Sequence, residues 1–170
     1  MCDTIAGMSL SDELVAANEQ YAEHGFEPLD SPRPQRALVV VACMDARMDV
    51  RELLGLEVGD AHVLRNAGGV ITDDVIRSIA ISQRALGTTG IVLVHHTDCG
   101  MTKVTDDEFA SELEAETGVR PGFAIEAFHD ADASVRESIA RLQRSPFVAH
   151  TDEIAGFVFD VATGRIRPVV

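Results

Sequence analysis

Two unbroken apolar runs, ALVVVAC at 37–43 and GIVLVHH at 90–96, each lead straight into polar side chains of the kind that bind metals. A strand with one wet face alternates apolar and polar residues, whereas a strand buried on both faces reads as a continuous run of branched side chains. Helical stretches separate these runs. Asp49 can cap a short helix in DVRELLG that Gly55 stops, and GDAHVLRNAGG holds a second short strand before a turn. TDDVIRSIAISQRALG gives a helix capped by Thr72, with Val75, Ile76, Ile79 and Leu86 inward and Gly87 beyond its end. TDDEFASELEAETG reads as an acidic, solvated helix, DADASVRESIARLQRS as one that buries Val135, Ile139 and Leu142, and IAGFVFDVATGRI as a final strand with a turn. Such alternation indicates an α/β fold, a parallel sheet flanked by helices. In sheets of this kind chemistry collects at the carboxyl ends of strands, above all where strand order reverses.

The 170 residues are enough for one domain, 1–170, with an N-terminal arm at 1–30 and an α/β core at 36–161. In the arm, SLSDELVAANEQYAEH places Leu14, Val15, Ala17 and Tyr21 at helical spacing without an obvious local partner, and EPLDSPRP separates it from the core. The first residues have neither a basic start nor a continuous apolar segment, so a cytoplasmic protein without a secretory signal is expected. A net charge of -14, from 28 acidic against 14 basic residues, repels phosphate backbones and anionic lipids. Nucleic acid and membrane are therefore excluded as expected partners. Three unevenly spaced cysteines make no disulfide framework; Cys2 reads as a spare thiol.

Zinc favours about four ligands drawn from thiolate, imidazole and carboxylate. His96 and Cys99 form a His-x-x-Cys pair leaving one strand, and Cys43 ends another; if those strands are neighbours, three ligands converge. Asp45, two residues beyond Cys43, is a candidate fourth metal ligand. Arg47 can pair with it and hold it ionised as an acceptor, leaving a metal position open to water; a structural ion pair at the sheet edge is the plainer reading. His95 points to the other side of its strand if the geometry persists, as a packing residue or one that supports a ligand from behind.

CMDAR, RNAGG and HHTDCGM, taken together from about Arg36 to Val161, resemble the β-class carbonic anhydrases, and in particular their short prokaryotic branch. The resemblance implies zinc held by Cys43, His96 and Cys99, with Asp45 and Arg47 as the catalytic dyad. RNAGG matches the family's segment lining the pocket and the dimer contact, and Asn66, Gly68 and Gly100 are the candidate pocket-lining residues. The fold it implies is a parallel four-stranded core with the N-terminal helix reaching over a partner in a homodimer, pairing into tetramers being left open. The glutamine and aromatic residues that the plant-type branch sets around its substrate have no identified counterpart here, so the pocket is assigned by chemistry alone.

The activity expected is the reversible hydration of carbon dioxide to bicarbonate and a proton by a zinc-bound hydroxide, favoured at alkaline pH because two thiolates donate charge to the metal. Two alternatives share the motifs: hydrolysis of carbonyl sulfide or carbon disulfide, and a non-catalytic zinc protein for assembly or bicarbonate sensing.

Overall fold

A computed structural model describes residues 8–170; Cys2 lies outside the described residues. The chain divides into two units, 1–31 and 32–170. The first contains α1 (Leu10–His24). Its start is a capping box, with Ser9 Oγ accepting from the Asp12 N–H and the Asp12 carboxylate accepting from the Ser9 N–H. Leu10, Leu14, Val15 and Tyr21 are exposed, and no residue of α1 is buried.

The second unit holds five strands: β1 (Leu38–Cys43), β2 (Ala61–Asn66), β3 (Gly90–His96), β4 (Ile154–Asp160) and β5 (Arg165–Pro168), in the order β2-β1-β3-β4-β5. The first four are parallel, as the unbroken apolar runs predict. These four form the expected parallel core, and the sheet has five strands rather than four because β5 adds to it antiparallel to β4. Asp160 makes that reversal: its carboxylate accepts from the Ala162 N–H, its carbonyl accepts from the Gly164 N–H at 2.8 Å, and Gly164 takes a left-handed φ of 69°. The chain then returns along β4 with Arg165 opposite Asp160.

Helices α2 (Val50–Leu54), α3 (Asp73–Leu86), α4 (Asp106–Thr117) and α5 (Ala131–Arg144) connect the strands. Each begins at the side chain that its sequence offers, Asp49, Thr72, Thr105 and Asp130 accepting from backbone N–H groups of the first turn. On one face of the sheet, Val75 and Ile79 of α3 and Val135, Ile139 and Leu142 of α5 close over Val39, Val41, Ile91 and Leu93, whereas Ile76 and Leu86 are only half-buried. On the other, Met48, Val50 and Leu56 cover Val40, Ala42 and Val94. Val39, Val40 and Val41 are fully buried, and each side chain so removed from water contributes about 1.5–3 kcal/mol. No described helix is long and apolar enough to cross a membrane.

Because β2 lies on one side of β1 and β3 on the other, strand order reverses between β1 and β3. Ala42 stands beside Val94 and Cys43 beside Asn66, so both polar turns leave the sheet at this reversal.

Candidate metal centre

Cys43 ends β1, His96 ends β3, and Cys99 follows three residues later on the turn that leaves β3. Their donor atoms lie within 4.8 Å of one another and all three residues are buried. The two sulfurs are 4.0 Å apart, close to the separation of about 3.8 Å that two thiolates adopt at ~2.3 Å from one tetrahedral zinc. His96 Nδ1 is 2.8 Å from the Thr97 carbonyl, which can only accept, so Nδ1 carries the proton. Its Nε2 is buried without a hydrogen-bond partner and faces the sulfurs. An unprotonated imidazole nitrogen fixed by a carbonyl behind it and set beside two thiols is the donor arrangement that zinc takes.

The cluster is also electrostatically ready for a cation. The Cys99 thiol shares its hydrogen with Cys43 and pushes the Cys43 thiol down to about 4, against burial and with help from His96 and from the backbone at Asp45 and Gly68. Cys99 is pushed up by the same sharing and by burial. Burial opposes a proton on His96, but the Cys43 thiolate beside it outweighs that and raises its pKa. A negative potential that draws protons to these donors draws a divalent metal for the same reason.

The RNAGG turn is wedged against the cluster. Gly69 has φ 70°, and a Cβ there would stand 2.8 Å from the Cys43 nitrogen and 3.0 Å from the Ala42 carbonyl carbon, both backbone atoms. Only glycine lets this turn lie against the end of β1. Gly68, at φ 82°, abuts Phe128 and Met101. Asn66 donates from Nδ2 to the Val70 carbonyl at 2.9 Å and keeps Oδ1 buried without a partner. Gly100 is exposed, and open space surrounds the position of its absent Cβ.

Asp45 is not one of the three converging donors. Arg47 grips its carboxylate, donating from Nε to Oδ1 at 2.9 Å and from Nη2 to Oδ2 at 2.8 Å, while the Arg47 backbone N–H also meets Oδ1 at 2.9 Å. This hydrogen bonding holds the Asp45 carboxyl well below the usual carboxylate range. Oδ2 stays 3.7 Å from His96 Nε2, at the rim of the cluster. Sequence reasoning missed Arg65, whose Nε donates to the Cys43 carbonyl at 2.9 Å and whose Nη2 donates to the Asp45 carbonyl at 2.6 Å. Its place in RNAGG, on the strand beside β1, was the available signal. Phe128 had none, being remote in sequence from every motif.

The family profile described as carbonic anhydrase matches residues 38–166. Beta-carbonic anhydrase 1 of Mycobacterium tuberculosis is 51% identical over 162 residues, covering 95% of this chain and 99% of that protein. The chain belongs to the β-carbonic anhydrase family. It is therefore a member of a lyase family whose general reaction is the hydration of carbon dioxide. Among solved structures, a carbonic anhydrase from Streptococcus mutans superposes with a TM-score of 0.88 at 45% identity, covering 96% of this chain and 99% of that one. A protein named carbon disulfide hydrolase, from Acidithiobacillus thiooxidans, is 31% identical over 181 residues, covering 95% of this chain and 91% of that protein. As in the β-carbonic anhydrase fold generally, the sheet here is mostly parallel and the helices flank it.

Proposed function

We propose that this chain catalyses the reversible hydration of carbon dioxide to bicarbonate and a proton, with zinc held by Cys43, His96 and Cys99. The observation that carries the reading is the unpartnered, buried Nε2 of His96 set among two thiols at the rim of which Arg47 holds Asp45. Zinc, when bound, supplies the Lewis acidity that makes water a nucleophile near neutral pH. Asp45, kept ionised, accepts a hydrogen bond from the attacking water and turns its lone pair toward the carbon. Arg47 sets the direction of that acceptor. One C–O bond forms, a carbonyl π pair moves onto oxygen to give bicarbonate, and the proton leaves to buffer. Asn66 and Gly69 hold the turn against β1, Gly68 shapes the pocket where it packs beside Phe128 and Met101, and Gly100 lies at its open side.

A second reading, hydrolysis of carbon disulfide or carbonyl sulfide, is favoured by the Acidithiobacillus relative. The higher identity to the mycobacterial enzyme supports carbon dioxide. A purely structural zinc site would be closed by Asp45, and the grip of Arg47 on that carboxylate speaks against it. Stopped-flow hydration of carbon dioxide from about pH 6.5 to about pH 9, on protein of measured zinc content and beside a carbon disulfide assay, tests all three. Turnover of carbon dioxide rising with pH is expected; turnover of the sulfur substrate alone, or none with full zinc, overturns the proposal.

The assembly proposed is a homodimer to which α1 contributes, because its apolar side chains are uncovered within its own unit. Sedimentation of the full chain should give a dimer, or a pair of dimers, and removal of residues 1–30 should shift it toward monomer. A truncated chain with unchanged mass would dismiss the arm.

A further inference from the structure

Arg47 is gripped on two edges. Asp45 occupies the Nε and Nη2 edge, and Asp98 the other: Nη1 donates to Asp98 Oδ2 at 3.1 Å, and Nη2 donates also to the Asp98 carbonyl at 3.1 Å. The second oxygen of the Asp98 carboxylate is 2.7 Å from Nζ of Lys103, the only lysine in the chain. Asp98 sits on the turn between His96 and Cys99, and its backbone takes the left-handed conformation at φ 52°. That conformation is costly for most side chains and is tolerated by aspartate, asparagine and glycine. It brings both the carbonyl and the carboxylate of one residue onto one guanidinium.

This second grip does something the first does not. The Arg47 side chain is 45% exposed, and an exposed arginine with a single carboxylate partner can swing together with that partner at little cost. The Arg47 backbone N–H already holds Asp45 Oδ1, so what a swinging guanidinium would leave unfixed is the direction of Oδ2, the oxygen nearest His96 Nε2. Asp98 is fixed by its place between two of those donors, so an arginine tied to it becomes a stationary post, and Asp45 inherits its position.

We propose, resting on the function assigned above, that Asp98 is a positioning residue: with Lys103 it anchors Arg47 on the edge away from Asp45, and so fixes the direction in which the Asp45 carboxylate meets the Cys43, His96 and Cys99 cluster. Asp98 is not one of the three converging donors, and its influence passes through Arg47.

The test compares zinc-loaded and cobalt-substituted parent protein with Asp98→Gly, Asp98→Asn, Arg47→Ala, the double variant Asp98→Gly/Arg47→Ala, Lys103→Met and Lys103→Arg. Glycine keeps the left-handed turn while removing the carboxylate, so Asp98→Gly should retain the parent's metal content and melting temperature. Its kcat for hydration should fall about tenfold with KM changed less than about twofold, and Asp98→Asn should lie between it and the parent. The cobalt absorption spectrum of Asp98→Gly should shift in the same direction as that of Arg47→Ala, because both release Asp45. The double variant should be no worse than Arg47→Ala alone. Lys103→Met should lose about twofold to threefold, and Lys103→Arg should recover it. A parent-like spectrum and rate in Asp98→Gly, additive losses in the double variant, or loss of metal from Asp98→Gly would each overturn the proposal. A parent protein inactive toward carbon dioxide would overturn the function instead, and the cobalt spectra would still report whether Asp98 acts through Arg47.

Discussion

On one face of β3, His95 is fully buried against Phe128, with ring centroids 5.4 Å apart and Nε2 3.1 Å from Ser134 Oγ. On the other face, His96 is as deeply buried, its Nδ1 held by the Thr97 carbonyl. Each ring keeps one nitrogen without a hydrogen-bond partner, Nδ1 in His95 and Nε2 in His96. Burial and an unpartnered nitrogen therefore do not make a ligand. What separates the two is company: two thiols face His96, whereas His95 meets an aromatic ring and a hydroxyl, and burial there pushes its pKa down to about 4. The neutral ring of His95 is core packing with a polar handle.

The strongest way to break this comparison is to remove the rings one at a time. His96→Ala, like Cys43→Ser and Cys99→Ser, should lose zinc on dialysis and lower carbon dioxide hydration by about a thousandfold or more, since a three-ligand site missing an anchor loses most of its affinity. Metal analysis and stopped-flow rates read this directly. His95→Ala should keep its zinc and most of its activity per zinc while losing about 2–4 kcal/mol of stability in urea denaturation, because the loss is one of packing. Zinc loss from His95→Ala, or retention by His96→Ala, would erase the distinction.

A finer test lies behind His95. Ser134→Ala removes the hydroxyl from Nε2 and leaves both nitrogens of a buried ring unpaired, a cost of about 1–3 kcal/mol with no change in metal content. The smallest expected effect is at the rim of the same face, where Arg167 of β5 donates two hydrogen bonds to Asp132 of α5. Arg167 holds the Asp132 carboxyl below its usual range. A carboxyl with a lowered folded pKa contributes stability above its unfolded pKa of about 3.9 and loses it as pH falls through the folded value. Asp132→Asn should therefore lower the melting temperature by only about 1–2 °C at pH 7, the pair being solvent-screened. The difference should close in acid; a gap that widens there would assign the pair another role.

The sequence carried the two histidines' opposite directions, because alternation along a strand is a covalent regularity that needs no tertiary information. It likewise carried the β1 and β3 runs, the caps at Asp49 and Thr72, and the convergence of Cys43 with His96 and Cys99 once those strands are neighbours. It did not separate β5. Arg165–Pro168 is only four residues long, is exposed along its whole length and ends in proline, so its brief alternation is too short to mark a strand. Nor did it reveal the bond from Arg47 to Asp98, since 51 residues separate them and only the strand reversal brings their turns together. Local rules located the donors; topology decided which side chains would stabilise them.

The place of Lys103 gives the protein an unusual chemical address. As the one lysine in 170 residues, with its side chain 63% exposed, it is the one side-chain amine open to an acylating label. A lysine-specific protease likewise has one cleavage site, and the cut would leave all three metal donors on one fragment and α4, α5, β4 and β5 on the other.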